Sequence, residues 1–309
     1  MGRFMTVPLV QRLPTARGRL RSDAVLAKTS WFRVGGPAEV LFSPADLDDL
    51  TEFLAALDPD IPVTVVGRAS NVLIRDGGVP GVVIRLGRAF AGARVNGAVV
   101  EAGAATASAD VARAAQAAGI AGFGFLEGIP GSVGGALRMN AGCHGKEVRH
   151  IVVAARAVDR AGCVHNLRAT DLGLDYRQCT VPADWIFVSA QFAGAAGDPA
   201  VIAACMRQFR DQRERTQPSR VATGGSTFRN PPDQKAWVLI ERAGCRGLRR
   251  NGASVSEKHA NFLVNDGSAS AADLEALGED VRHRVQMETG ILLEWEIHRI
   301  GRPLGGPLP

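Results

Sequence analysis

The chain has 309 residues, long enough for two or three domains and a sizeable core, and its 46% hydrophobic and 22% charged residues match soluble globular proteins. No uncharged apolar run approaches the roughly 18 to 20 residues that span a bilayer, which excludes an ordinary integral membrane protein. The formal charge of +5 is an arginine effect, since Lys28, Lys146, Lys235 and Lys258 are the only lysines. The arginines cluster at 3–21, 207–220 and 242–250, but the clusters are dispersed, and 6% aromatic residues is a poor basis for base stacking, so no nucleic-acid partner is expected. Arginine also offers paired donors to phosphate oxygens, and a phosphate-bearing small molecule explains the excess equally well. The five cysteines (Cys143, Cys163, Cys179, Cys205 and Cys245) are odd in number, widely spaced and without a CxxC pair. Neither a disulfide framework nor a metal site is expected, and a reducing cytoplasm is the simplest setting.

The first 22 residues hold five arginines and no acid, loosely like a transit peptide, but they lack an amphipathic stripe and read as a poorly structured amino-terminal arm. From Trp31 the pattern becomes strand and helix. "WFRVGGPAEVLF" reads as strand, glycine turn, strand. "PADLDDLTEFLAAL" spaces Leu47, Leu50, Phe53, Leu54 and Leu57 for a helix, with Ser43 as the expected cap before Pro44. "IPVTVVG" and "GVVIRL" are short buried strands, and "TASADVARAAQAAG" is an Ala-rich helix closed by Gly119. "HIVVAARAVD" and "DWIFVSAQF" are further strands. A second compositional unit starts near Asp198 with a helix stopped by Pro218. A longer helix places Leu274, Leu277, Val281 and Val285 on one face, with Ser270 as cap, Asp273 at its third position and Gly290 at its end. In "ILLEWEIHRI" the residues Ile291, Leu293, Trp295 and Ile297 alternate with Glu294, Glu296 and His298 as a strand would. The mixture is α+β.

Two stretches are unusually bare. "VTVVGRASNVLIRDGG" and "GIPGSVGGALRMNAG" each put small residues between an apolar segment and the next element. Such loops let backbone N–H groups approach an anion with no side chain in the way. Neither fits the P-loop pattern and neither gives G-x-G-x-x-G after a strand. On the residues alone, phosphate cradles and plain tight turns both remain open.

These stretches, together with "WFRVGG", "YRQC", "TGGSTFRNP", "AGCRGL", "SEKHANFLVN" and "LEWEIHRIG", stand in the order found in the UDP-N-acetylenolpyruvoylglucosamine reductase (MurB) family. The resemblance runs from about residue 28 to 301. It implies a two-subdomain FAD-binding fold of the vanillyl-alcohol-oxidase (PCMH) type followed by an α+β substrate-binding domain. The corresponding division is an arm at 1–27, FAD subdomains at 28–86 and 87–197, and a substrate domain at 198–309. By that resemblance Gly67, Ser70 and Asn71 line one side of the flavin pyrophosphate, and Gly131, Ser132, Gly134 and Gly135 line the other. The chain has no tyrosine besides Tyr176 and no room for an inserted loop between Arg177 and Ser226, so it is similar to the shorter subclass of the family.

The implied reaction uses NADPH and FAD to saturate an enolpyruvyl ether on a UDP-sugar. The resemblance makes Arg177 the catalytic arginine, Ser226 the proton donor and Glu296 the catalytic glutamate. Arg229 and Asn230 match positions that contact the nucleotide half of the substrate, and the resemblance turns Lys258, His259 and Asn261 toward the substrate or the nicotinamide cofactor. His298 stands where the family more often has lysine or arginine. Without the resemblance, each of these is an ordinary ion-pair, turn or surface residue. A cytoplasmic monomer acting on a UDP-sugar with NADPH is the expected form. The rivals are another enzyme of the same flavin superfamily, such as an alcohol or lactone oxidase, and a non-catalytic flavin- or nucleotide-binding protein. Those oxidases often attach flavin through histidine, and neither glycine loop contains one.

Overall fold

A computed structural model describes residues 7–306. In chain order they form strands β1 (Arg19–Val25) and β2 (Pro37–Ser43), helix α1 (Leu47–Ala56), and strands β3 (Val63–Val65), β4 (Val72–Ile74) and β5 (Val79–Ile84). Strands β6 (Ala93–Asn96) and β7 (Val99–Gly103) precede helices α2 (Ser108–Ala117) and α3 (Val133–Arg138). Then come β8 (Val152–Val158), β9 (Val164–Arg168), β10 (Ile186–Ala193), α4 (Pro199–Thr216), β11 (Ala222–Ser226) and α5 (Ala236–Arg242). Strands β12 (Ala253–Val255) and β13 (Phe262–Asn265), helix α6 (Ala271–Thr289) and strand β14 (His298–Ile300) complete the order. The fold is α+β.

The chain divides into two compact units, the first made of Met1–Ala24, Ala38–Gly67 and Pro80–Arg210. It carries two sheets. The first runs β1-β2-β5-β3, with β3 and β5 parallel at Val63↔Val82. The second is antiparallel, ordered β9-β8-β10-β7-β6. Helix α1 packs Leu50, Phe53 and Leu54 into a core with Phe42, Val82 and Ile84, and the Phe42 and Phe53 rings lie 4.1 Å apart. The second core gathers Val100, Val111, Phe123, Leu137, Phe187 and Phe192 around α2, α3 and the antiparallel sheet.

Two local expectations fail in this unit for identifiable reasons. The cap of α1 is Asp46, whose carboxylate accepts the Asp49 N–H, and not Ser43, which ends β2. The described part of the amino-terminal arm is also ordered. Buried Asp49 accepts the N–H groups of Arg17 (2.6 Å), Gly18 (2.9 Å) and Ala45 (2.8 Å), and β1 then joins the sheet. Residues 1–6 of that arm lie outside the described residues.

The second unit comprises Val25–Pro37, Arg68–Val79 and Asp211–Pro309. Its sheet is ordered β11-β13-β12 with the two-residue strand Arg249–Arg250 at the edge, and β4 pairs in parallel with β14. Phe32, Val34 and Leu73 are buried with Phe228, Leu239, Leu274, Val281, Leu293 and Ile297. That shared core explains why the division differs from the four consecutive segments expected. Two short early segments fold with the carboxyl-terminal part, and "WFRV" is irregular chain that buries Phe32 and Val34 in this core instead of a strand. Helix α6 forms as its sequence dictates, with Ser270 and Asp273 in a capping box and Gly290 left-handed at the end (φ +74°). A second carboxylate, Asp76, accepts the N–H groups of Ala271 (3.0 Å) and Ala272 (2.9 Å) at the same terminus. The alternation survives as alternating burial from 291 to 295 and breaks at Glu296, half-buried like Trp295; among the described residues the bridge there is Trp295 to Phe228, and the strand proper starts at His298.

Arg75 grips Glu275 with two hydrogen bonds (2.9 and 2.7 Å), and Arg299 reaches both Glu275 and Glu279 at 3.1 Å. Arg75 accordingly holds the Glu275 carboxyl below the usual carboxylate range. Trp295 donates to Glu279 (2.8 Å) beneath the Arg299 guanidinium, so its ring is held from two sides. The ring lies directly against Gly278 of α6, where a Cβ would overlap it. Gly278→Ala should therefore destabilise the protein by about 2 kcal/mol in urea denaturation, opposite in sign to the ~1 kcal/mol gain that helix propensity alone predicts.

Candidate active site

The bare stretch at 128–142 becomes a short 3-10 turn, an extended link through Pro130 and Gly131, and helix α3 with Ser132 at its N-cap. The link is stitched to the chain before α2: Ser108 N–H bonds Gly131 O (3.2 Å) and Val133 N–H bonds Thr106 O (2.9 Å). Gly134 N–H bonds Ala104 O (2.9 Å), and a Cβ on Gly134 would stand 3.2 Å from the Ala104 Cβ. Gly134 is thus a packing glycine, its amide already engaged by protein. Gly67 comes from the other bare stretch and meets this one directly: a Cβ there would lie 2.7 Å from Ser132 Oγ. Around exposed Gly135 the nearest atom to a Cβ is the same Oγ, at 3.8 Å. Gly67 and Gly135 therefore leave the Ser132 hydroxyl flanked by bare backbone, a surface that suits an extended anion at backbone distance. That geometry fits a flavin pyrophosphate.

Arg177 also belongs to the first unit. It occupies left-handed backbone (φ +53°) in a turn closed by Asp175 N–H to Gln178 O (3.1 Å) and Gln178 N–H to Asp175 O (2.9 Å). Its guanidinium stands 5.0 Å from the Tyr176 ring centroid and 3.5 Å from Gly142 O, at the end of the glycine stretch. Asn140 in the same stretch is fully buried and bonds Glu147 Oε2 (3.0 Å) and Asp175 O (2.9 Å). Sequence reasoning passed over Asn140. Its signal was an asparagine just past a helix end, where left-handed backbone is common.

In the second unit Ser226 ends β11, and the ladder to β13 slips between Thr223 and Ser226. The two preceding glycines make that bulge. Gly224 lies flat against the Phe32 ring with no room for a Cβ, and Gly225 is left-handed (φ +82°). Glu296 is brought to the same place: its N–H bonds Thr227 O (2.8 Å) and its carbonyl accepts Asn71 Nδ2 (3.0 Å). Ser226 and Glu296, seventy positions apart, are thus separated by one residue, Thr227. Ser70 and Asn71 fall in this unit, while Gly67 falls in the first.

The three expected substrate contacts divide. Asn261 is buried and its carboxamide pairs with the backbone of Phe228, accepting its N–H (3.0 Å) and donating to its O (2.8 Å). It braces the chain two residues past Ser226 instead of presenting an amide outward. Asn230 accepts the first N–H of α5, from Ala236, at 3.0 Å. Arg229 is held by its backbone N–H to Glu294 O (2.9 Å) and by Nη1 3.8 Å from Glu294 Oε2, and its buried Nε has no hydrogen-bond partner among the described residues. An orphaned guanidinium donor fits a ligand oxygen. His298 lies exposed on β14, with its N–H on Asn71 O (3.1 Å).

His259 sits between Trp237 and Phe262, and burial pushes its pKa below the ordinary 6.5. A depressed histidine contributes stability above the unfolded value that is lost as pH falls. The melting temperature should drop between about pH 7.5 and 5.5, and His259→Gln should flatten that slope. Gly67→Ala should lower flavin retention, read as visible absorbance of the purified protein, and adding Ser132→Ala should recover part of it by removing the clashing hydroxyl.

The family model for the UDP-N-acetylenolpyruvoylglucosamine reductase carboxyl-terminal domain matches residues 217–300, and an FAD binding domain matches residues 38–168. A UDP-N-acetylenolpyruvoylglucosamine reductase of Rhodospirillum rubrum is 57% identical over 97% of this chain and 95% of its own length. That of Parvibaculum lavamentivorans is 55% identical over 96% of both chains. The crystal structure of the reductase (MurB) from Thermus caldophilus has a TM-score of 0.81 at 32% identity, covering 92% of this chain and all of that one. With relatives this similar over almost its entire length, the chain belongs to the UDP-N-acetylenolpyruvoylglucosamine reductase family.

Proposed function

We propose that this chain reduces UDP-N-acetylglucosamine enolpyruvate to UDP-N-acetylmuramate with NADPH, a step in peptidoglycan precursor synthesis carried out in the cytoplasm. The observation that carries this reading is the 57% identity to a reductase of that name over 97% of the chain. No helix among the described residues is long and apolar enough to cross a membrane, in keeping with a water-soluble UDP-sugar substrate. The form we propose is a monomer. The oxidase alternative is left without an observation in its favour.

FAD, when bound, supplies a hydride taken from NADPH to the terminal carbon of the substrate alkene. The protein's task is charge. Hydride addition beside an ionised carboxylate builds a second negative charge, which must be met where it develops. Arg177 grips the carboxylate with a planar fork, and its bonds strengthen as charge accumulates. Ser226 delivers a proton to the carbon next to the carboxylate. Its hydroxyl is a feeble acid, but an enolate-like carbon is basic enough to take the proton. Glu296 acts as a protonated or hydrogen-bonded partner of that intermediate, because a bare carboxylate there would oppose it. The backbone bonds that join Glu296 to Thr227 and Asn71 support this pairing with Ser226. Arg229 offers its unsatisfied Nε to the substrate diphosphate. Gly67, Gly131, Ser132 and Gly135 border the flavin pyrophosphate, with Gly134 setting the approach of α3.

Two variants separate these roles in anaerobic stopped-flow. Ser226→Ala should leave flavin reduction by NADPH nearly intact while reoxidation by the enolpyruvyl sugar slows by about 10²- to 10⁴-fold. Arg177→Lys keeps the charge but loses the fork, and should slow the same half-reaction by at least about 10²-fold. Equal slowing of both halves by Ser226→Ala removes it as proton donor, and a normal rate in Arg177→Lys removes Arg177.

A further inference from the structure

Asn140 terminates α3 in left-handed backbone (φ +39°). Asn140 N–H bonds Leu137 O (3.1 Å) and Ala141 N–H bonds Ala136 O (2.8 Å), the paired closure typical of a left-handed helix stop. Glycine adopts this conformation with least strain, and the surrounding stretch uses glycine freely. An asparagine here therefore needs a second reason.

Its side chain supplies one. The carboxamide is fully buried and used on both sides: Nδ2 donates to Asp175 O (2.9 Å) and Glu147 Oε2 (3.0 Å), and Oδ1 accepts Arg149 N–H (3.0 Å). The Asp175 carbonyl is also the one that closes the turn bearing Arg177, accepting Gln178 N–H at 2.9 Å. The Arg149 side chain adds an outer brace, reaching Glu147 Oε2 (2.8 Å) and Asp175 Oδ1 (3.1 Å). The end of the glycine stretch and the Arg177 turn are thus one hydrogen-bonded piece.

We propose that Asn140 is a positioning residue: its buried carboxamide ties the end of the glycine stretch to the Asp175–Gln178 turn and so fixes where the Arg177 guanidinium stands. The inference rests on Arg177 being the group that meets the substrate carboxylate. A forked donor loses its advantage when displaced by about an ångström, an error that alone can cost on the order of 10²-fold in rate.

The test is Asn140→Gly in the FAD-loaded enzyme, because glycine keeps the left-handed stop and deletes only the carboxamide. Flavin reduction by NADPH should stay within about threefold of wild type, and reoxidation by the enolpyruvyl sugar should fall about 30- to 100-fold. Asn140→Asp should fall at least as far, since it places a carboxylate against Glu147 and the Asp175 carbonyl. In an Arg177→Ala background, Asn140→Gly should change the residual rate less than about twofold, because its effect passes through Arg177. If Arg177→Ala itself reoxidises normally, the reading of Arg177 fails. If Arg177→Ala is slow but Asn140→Gly stays within about threefold, or the two losses multiply, the positioning role is overturned. Should Asn140→Gly give no folded flavoprotein, Arg149→Gln decides by cutting the exposed outer brace: reoxidation about 3- to 10-fold slower supports the proposal, and an unchanged rate overturns it.

Discussion

The structure depends on places where backbone meets its neighbour with no side chain between. Gly67 lies against Ser132 Oγ, Gly134 against Ala104, and Gly224 against the Phe32 ring, and none of the three could carry a Cβ without displacing what it touches. These contacts do more than relieve crowding. The first brings the two bare stretches together, the second seats α3, and the third, with left-handed Gly225, bends β11 so that Ser226 ends the strand beyond a bulge. Each glycine loses more backbone freedom on folding than any other residue would, and the return is close approach beside the residues proposed to act.

Polar groups then hold what the glycines bring near. The Asn261 carboxamide clasps the backbone of Phe228, Thr227 takes the N–H of Glu296, and Asn71 takes its carbonyl. On the other unit Asn140 does the corresponding work for the Arg177 turn. Buried carboxamides suit such tasks because they donate and accept without a charge that would need its own partner. Arg229, whose Nη1 stands 3.8 Å from Glu294 Oε2, keeps a buried Nε with no hydrogen-bond partner among the described residues, and that donor has capacity for a ligand.

The parts of this arrangement that local chemistry determines were legible in the sequence. Helix α6 announced itself through Ser270, Asp273 and Gly290, while the two bare stretches left phosphate cradle and tight turn both open. The parts set by distant packing were not. Trp31 to Val34 alternate like a strand, yet Phe32 and Val34 are drawn into a core whose other members are Leu73 and residues from Phe228 onward. Asp46 displaced Ser43 as cap because β2 extends through Ser43. Asn261 was assigned by resemblance, and its bonds to the Phe228 backbone were hidden because that partner carries no sequence signature. The pairing of Ser226 with Glu296 was accessible only through family resemblance, since sixty-nine intervening residues hide it.

The central claim is that these side chains serve reduction of an enolpyruvyl ether. The direct measurement is anaerobic turnover of the FAD-loaded full chain with NADPH and UDP-N-acetylglucosamine enolpyruvate, with the product mass recorded alongside NADPH loss. The account predicts one NADPH consumed per UDP-N-acetylmuramate formed and no NADPH loss beyond flavin reduction when the sugar nucleotide is omitted. NADPH oxidation that proceeds at the same rate with and without the enolpyruvyl sugar, or a sugar nucleotide recovered at unchanged mass, would contradict it.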